Sequence, residues 1–322
     1  MTKTIDIHSH FIVDKYINTI KKYDLENEDG FLHPLWSIDK HLEYMKYANI
    51  DMCLLSLSTP HQYFADLEES KRLTRYLNEY ASNLKNKYSD KFLFGVWVPL
   101  PDVNSAIEEV KYAYDILKAD AIKVPSQANG IYLGDETLNA FFEELNNRHS
   151  VIIIHPSKPQ EVPQNCYTSG PMPLFEYLAD TTRAVINMIV NGTLEKYANI
   201  KIIVPHCGSF LPNIVDRLEG ITAVLSSKGI GKKINVKESL KNIYFDTAGD
   251  NVPRGTKILM TLVDKDYILF GGDFPYTPKE FIKNTKDRLD IYSHEQGFMD
   301  ELMYLNAEKL FNIKLFSLSL SH

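Results

Sequence analysis

Eight short apolar runs punctuate the chain, at residues 3–8, 52–57, 92–98, 120–124, 151–155, 201–206, 242–247 and 267–273. Most are continuous rather than alternating, which is the pattern of strands buried on both faces of a parallel sheet. Between them, apolar residues recur at helical spacing. Leu42, Met45 and Ala48 do so within 38–49, and a long amphipathic stretch fills 63–88. Residues 103–117 follow with Asp102 or Asn104 as the cap, and 135–147 opens at Asp135 with Leu138, Phe141, Phe142 and Leu145 on one face. Shorter helical patterns lie at 181–191, 211–218, 254–263 and 278–289, and the segment from Asn306 to Phe311 reads as a closing helix.

Eight strands alternating with helices predict a (β/α)8 (TIM) barrel. A doubly wound sheet would carry a glycine-rich phosphate turn after its first strand. That position holds His8-Ser9-His10 instead, and neither GxGxxG nor GxxxxGK[ST] occurs. Without repeats or a low-complexity linker, the expectation is one domain over residues 1–322. Two long loops are expected at about 11–37 and 156–180, the second rich in proline around Ser169-Gly170-Pro171-Met172-Pro173. Both would follow strands at the barrel end where active sites are built.

Composition narrows the partners. The 322 residues carry a net charge of −7, with a pI near 5.8. No basic stripe is available for a nucleic acid. Cys53, Cys166 and Cys207 are odd in number and far apart, so neither a disulfide framework nor a thiolate zinc site is expected, and a reducing cytoplasm fits. The chain enters its first strand without a signal-peptide core, and no window approaches a membrane span.

The candidate chemistry sits at the strand ends. In an extended chain, residues i and i+2 share a side, so His8 and His10 project together. The fifth strand ends in His155, the sixth in His206 and the eighth in Asp273. Each alone has an ordinary reading, as a capping histidine or an aspartate starting a helix. In a barrel all five converge on one axial point, where unpaired charges would be costly to bury without a cation. Imidazole and carboxylate donors without thiolates suit Zn²⁺, with Mn²⁺, Fe²⁺ or Co²⁺ as alternatives.

At these residues the chain resembles the amidohydrolase superfamily, and within it the branch of aminocarboxymuconate-semialdehyde decarboxylase and related metal-dependent decarboxylases. The matching motifs are Asp6-Ile7-His8-Ser9-His10-Phe11, Ile154-His155-Pro156, His206-Cys207-Gly208-Ser209-Phe210-Leu211-Pro212, Tyr244-Phe245-Asp246-Thr247-Ala248 and Phe270-Gly271-Gly272-Asp273-Phe274-Pro275. Three further stretches, Pro34-Leu35-Trp36-Ser37, Ile131-Tyr132-Leu133-Gly134-Asp135 and Asp180-Thr181-Thr182-Arg183-Ala184-Val185, are similar to the 6-methylsalicylate decarboxylase group. The resemblance implies a metal-dependent-hydrolase type of barrel holding one divalent metal, Zn²⁺ first and Mn²⁺ second. His8, His10, His155 and Asp273 would be its ligands. His206 would be the catalytic histidine, with Asp273 the other candidate to deliver a proton. It also implies a homodimer. Two departures stand out. Family members acting on aminocarboxymuconate semialdehyde carry an arginine in the first helix where this chain has His41, and Ser209 replaces a usual glycine.

Decarboxylation leaves electron density on carbon, so it needs an electron sink and a proton donor. The expected substrate is a small aromatic or enol-type carboxylate with an adjacent oxygen. Phe11, Trp36 and Phe274 are candidate walls for a flat ring, and His41 is a candidate substrate contact. Lys123, on the fourth strand, is placed so that it can point inward. The resemblance implies either a single-metal site or, as in some superfamily members, a carbamylated lysine bridging two metals. Its ordinary reading is an outward or substrate-facing ammonium that pairs with the substrate carboxylate. Two other readings compete. One is hydrolysis of a lactone or amide by a metal-bound hydroxide. The other is a non-catalytic metal-binding protein on an enzyme-like barrel, which the complete ligand set disfavours.

Overall fold

The computed structural model describes residues 3–61, 63, 66–166, 170–249 and 252–315. Ser169, His322 and the start of the 63–88 pattern at residues 64 and 65 fall outside them. Eight parallel strands run in sequence order: β1 (Ile5–His10), β2 (Met52–Ser56), β3 (Phe92–Trp97), β4 (Ala121–Pro125), β5 (Val151–His155), β6 (Lys201–Val204), β7 (Ile243–Asp246) and β8 (Ile268–Leu269). The last returns to the first. Ile7 N donates to Phe270 O at 3.0 Å, Asp273 N to His8 O at 2.7 Å, and Ser9 bridges Phe274 in parallel. The architecture is a (β/α)8 barrel.

The helices form where caps and apolar spacing coincide. Helix α1 (Asp14–Lys22) buries Tyr16 and Ile20, one turn apart, inside the expected 11–37 loop. Helix α2 (Ile38–Ala48) starts where Ser37 accepts from Lys40 N, and ends at left-handed Asn49. Asp66 caps α3 (Leu67–Lys87), and Asp102 rather than Asn104 caps α4 (Val103–Tyr112). Helix α5 (Asn139–Asn147) follows a 3-10 turn capped by Asp135. Helices α6 (Glu176–Val190) and α7 (Leu211–Ser227) both exceed the apolar patterns that announced them.

The side chains divide into two shells. Cys53, Leu55, Phe94, Ile152, Ile154, Val204 and Phe245 face outward into a core shared with the helices. Ile5, Ile7, Leu54, Leu93, Ile153, Ile203 and Leu269 face the axis and fill the lower barrel, joined from below by Ala307 and Leu315. This apolar plug is the floor on which the polar strand ends stand.

Strand β1 breaks its own alternation. Asp6 pairs with Cys53 and Ser9 with Leu55, so three steps along β1 match two along β2. The extra residue is a bulge, a device that re-aims side chains. Below it the axis-facing residues are Ile5 and Ile7; above it they are His8 and His10. The final strand is shorter than expected because Gly271 and Gly272 leave the ladder. A Cβ on Gly271 would lie 2.9 Å from His8 Cβ, and one on Gly272 only 2.4 Å from the Tyr44 hydroxyl. Only glycine lets the last strand approach the first so closely.

Candidate active site

Four imidazoles and a carboxylate meet above the plug. The His8 and His10 rings are 5.0 Å apart, edge to face. His155, at the tip of β5, stands 5.7 Å from His8 and 5.1 Å from His10, and His206 stands 5.4 Å from His8. Asp273 Oδ1 lies 3.0 Å from His10 Nε2 and 3.6 Å from His8 Nε2. Two overlapping groups have the spacing of metal ligands: His8 with His10 and His155, and His8 with His206 and Asp273.

The backbone is bent to achieve this. His206, Cys207 and Ser209 after β6, and Asp273 after β8, all have positive φ, between 52° and 65°. Non-glycine residues in this region are uncommon and gather at functional sites. His206 N is anchored on Asp246 Oδ1 at 3.0 Å, and Thr277 N donates to Asp273 O at 2.8 Å.

The hydrogen bonds around the imidazoles decide which nitrogens are bare. His8 Nδ1 donates to Asp246 Oδ2 at 2.8 Å, leaving Nε2 as a buried acceptor with no partner among the described residues. His155 Nδ1 donates to Pro156 O at 3.0 Å, so its Nε2 is the free acceptor. Burial, reinforced by Lys123, holds His10 and His155 well below the usual imidazole range, and burial with His8 nearby lowers His206. His8 alone is raised: burial opposes its charge most strongly, but Asp246 and Asp273 together outweigh it. Clustered imidazoles beside a carboxylate, with His8 and His155 each held through Nδ1 by an oxygen acceptor, are what a divalent cation requires. The donor set fits a metal.

Lys123 is buried and turned inward. Its Nζ donates to Ser56 Oγ at 2.8 Å and stands 3.2 Å from His10 Nδ1, and burial holds it well below the usual lysine range.

The other four expected substrate contacts pack away from the cluster. Phe11 is buried against Trp36 and against Tyr80 of α3. Trp36 Nε1 donates to His41 Nδ1 at 3.1 Å. His41 is wholly buried between Tyr44, Phe92 and Phe274, and Phe274 stacks on Tyr44 at 4.3 Å. These residues weld the outer face of β1 to α2 and α3. Phe11 and His41 have no surface left for a substrate, Phe274 is buried as well, and Trp36 is partly buried. Strand parity explains Phe11: if His10 faces the axis, its neighbour faces away.

Three residues without an expected role belong to the site. Asp246 orients both His8 and the backbone of His206. Asp6 accepts from His8 N and Gly272 N, each at 2.9 Å, and from the Tyr44 hydroxyl at 2.7 Å, while burial pushes its carboxyl up to about 6. The Tyr276 ring meets His10 edge-on at 5.5 Å, and its hydroxyl is 3.0 Å from His33 Nδ1. For Asp246 the signal was present, since it ends its strand in a carboxylate just as the other strands end in imidazoles.

A barrel with imidazoles and an aspartate at its strand ends is a metallohydrolase-type scaffold, and comparison with known proteins places it. The amidohydrolase family profile matches residues 5–313, and the chain belongs to that family. A solved structure described as an amidohydrolase II is 31% identical, with a TM-score of 0.88 over 96% of this chain and 99% of that one. The 6-methylsalicylic acid decarboxylase of Penicillium expansum is 27% identical, over 89% of this chain and 90% of its own length. The 5-carboxyvanillate decarboxylase of Novosphingobium aromaticivorans, solved with manganese and a nitrobenzoic acid, has a TM-score of 0.84 at 19% identity, covering 97% and 96% of the two chains.

Proposed function

We propose that this chain is a metal-dependent decarboxylase that releases CO₂ from a small aromatic or enol-type carboxylate bearing an oxygen next to the carboxyl group. The observation that carries the reading is the unpartnered, buried Nε2 of His8, grouped with His10, His155 and Asp273 over an apolar floor. The relatives named above that act on aromatic acids support the substrate class.

His8, His10, His155 and Asp273 would hold one divalent ion. Zn²⁺ suits the donors, and the manganese of the carboxyvanillate enzyme supports Mn²⁺ equally. When bound, the ion supplies Lewis acidity toward a substrate oxygen and stabilises negative charge there. The protein does the rest. Asp246 and the Pro156 carbonyl fix the His8 and His155 tautomers, so neither ring rotates as charge develops. The bond to the carboxyl carbon breaks, its electron pair stays on the ring or enol carbon, and CO₂ leaves. Asp273 or His206, both beside His8, returns a proton to that carbon. The apolar plug closes the barrel beneath the site. Lys123, engaged with Ser56 and His10, positions His10, consistent with a single metal.

We also read the chain as one catalytic domain that forms a homodimer in a reducing cytoplasm. Buried free Cys53 and Cys207 support the compartment, and Ile221, Val224 and Leu225, exposed along α7, support a subunit contact. Among the described residues, no helix is long and apolar enough to cross a membrane.

The test is a CO₂-release screen over hydroxybenzoates and muconate-type acids, with metal-stripped protein as control. Opening of lactones with no CO₂ from any acid would replace the reading with hydrolysis.

A further inference from the structure

Two of the stretches that resemble the 6-methylsalicylate decarboxylase group, 131–135 and 180–185, supply nothing to the metal-type cluster, yet they meet beside it. Asp180, on α6, is wholly buried. Its Oδ1 accepts from the Tyr132 hydroxyl at 2.5 Å and from Arg183 Nη1 at 3.1 Å. Its Oδ2 accepts from the Ser126 hydroxyl. Burial pushes the Asp180 carboxyl up, and these three donors pull against that rise.

Ser126 follows the last residue of β4 and is buried as well. A serine hydroxyl has one proton to donate. Because Asp180 accepts it, a lone pair is left on Oγ, and Ser157 N donates to that oxygen at 2.9 Å. Ser126 N in turn donates to the His155 carbonyl at 2.8 Å. One residue therefore grips the chain on both sides of Pro156. Proline has no N–H by which it could be held directly. Its carbonyl is the group that accepts from His155 Nδ1 at 3.0 Å.

We propose that Asp180 is a positioning residue of the site: through the Ser126 hydroxyl it holds the His155-Pro156-Ser157 turn, so that His155 keeps its proton on Nδ1 and leaves Nε2 as the acceptor. The carboxylate orients a hydroxyl, the hydroxyl a backbone turn, and the turn an imidazole, which is how the surroundings of a metal site hold its ligands. The value of this hold to metal binding rests on the reading of His155 as a ligand, whereas the hold itself belongs to the metal-free chain.

Isotope-labelled histidine imidazoles report their tautomers by nitrogen–proton NMR of the metal-free full chain at neutral pH, with His155→Gln assigning the signal. His155 is expected in a single Nδ1–H form. Ser126→Ala and Asp180→Asn should each admit the Nε2–H form and weaken Zn²⁺ affinity by about tenfold in chelator competition. Tyr132→Phe is the control: it removes another donor from Asp180 but keeps the Ser126 bond, so both readouts should stay at their wild-type values. Ser126→Ala leaves the Tyr132 and Arg183 contacts of Asp180 intact and decides the matter should Asp180→Asn fail to fold. An unmixed Nδ1–H form with undiminished affinity in Ser126→Ala would overturn the proposal. Equal losses in Tyr132→Phe would overturn it too, since the effect would then be a general loosening of α6. Wild-type protein that binds no Zn²⁺, while its His155 tautomer still depends on Ser126, would uphold the hold and count against the metal reading instead.

Discussion

His8 and Asp246 are 238 residues apart in sequence, yet the imidazole Nδ1 rests 2.8 Å from the carboxylate, both wholly enclosed. Asp246 also accepts from His206 N and Ala248 N, at 3.0 Å each. One carboxylate therefore sets the tautomer of one proposed ligand and the turn that carries the proposed catalytic histidine. Asp246→Asn is expected to weaken metal affinity by about 10–100-fold while the fold persists. Chelator competition, with circular dichroism as the folding control, measures this. Unchanged affinity would remove Asp246 from the site.

His206 and His155 should separate chemistry from metal binding. His206→Ala is expected to keep the metal and lose roughly 100-fold or more in turnover. His155→Ala should lose the metal itself. Metal content by elemental analysis beside a CO₂ assay distinguishes them, and full activity of His206→Ala would end its catalytic assignment.

Stripping the metal should abolish CO₂ release, and reconstitution should restore it at close to one ion per chain. Parallel additions of Zn²⁺ and Mn²⁺ identify the working ion. Two ions per chain would return Lys123 to the role of a bridging, carbamylated ligand.

The two strand-end glycines make a steric prediction. A methyl group on Gly272 would lie 2.4 Å from the Tyr44 hydroxyl and 2.8 Å from Asp6 Oδ2. Tyr44 is stacked on Phe274 and cannot step aside. Gly272→Ala should therefore cost about 1–3 kcal/mol of stability. Gly220, within α7 and with nothing within 4 Å of its would-be Cβ, is the contrast: Gly220→Ala should stabilise by roughly 0.5–1 kcal/mol. Thermal unfolding of the pair tests both signs.

His41 makes a pH prediction. Burial pushes its imidazole down from 6.5 to about 3. The folded value lies below the unfolded one, so between these limits the unfolded chain takes up a proton that the folded chain refuses. Its contribution is complete above about 6.5 and is lost as the pH falls toward 3, by about 1.4 kcal/mol per unit. His41→Gln, which keeps an acceptor for Trp36, should flatten that slope in denaturant titrations from neutral to mildly acidic pH.

The five cluster residues were legible because each ends an apolar run, and a barrel gathers strand ends. The aromatic neighbours were not. Phe11 and Phe274 stand next to such ends, but a side chain beside an inward one points to the helices. The bulge in β1 was also hidden. Ile5 and Ile7 face the axis with odd parity and His8 and His10 with even parity, and no pattern of residue types announces the switch. Asp246 and Tyr276 needed tertiary distances before a role could be assigned.

The closing of the barrel by Gly271 and Gly272 joins two proposed ligands from opposite extremes of the chain, His8 and Asp273. On that proposal, a metal would grip with its full set of donors only after the last strand has docked on the first. Occupancy would then report completed folding, and free metal would stabilise the fold with a strength that grows with the logarithm of its concentration. A cell short of the ion would hold less folded protein as well as less active protein.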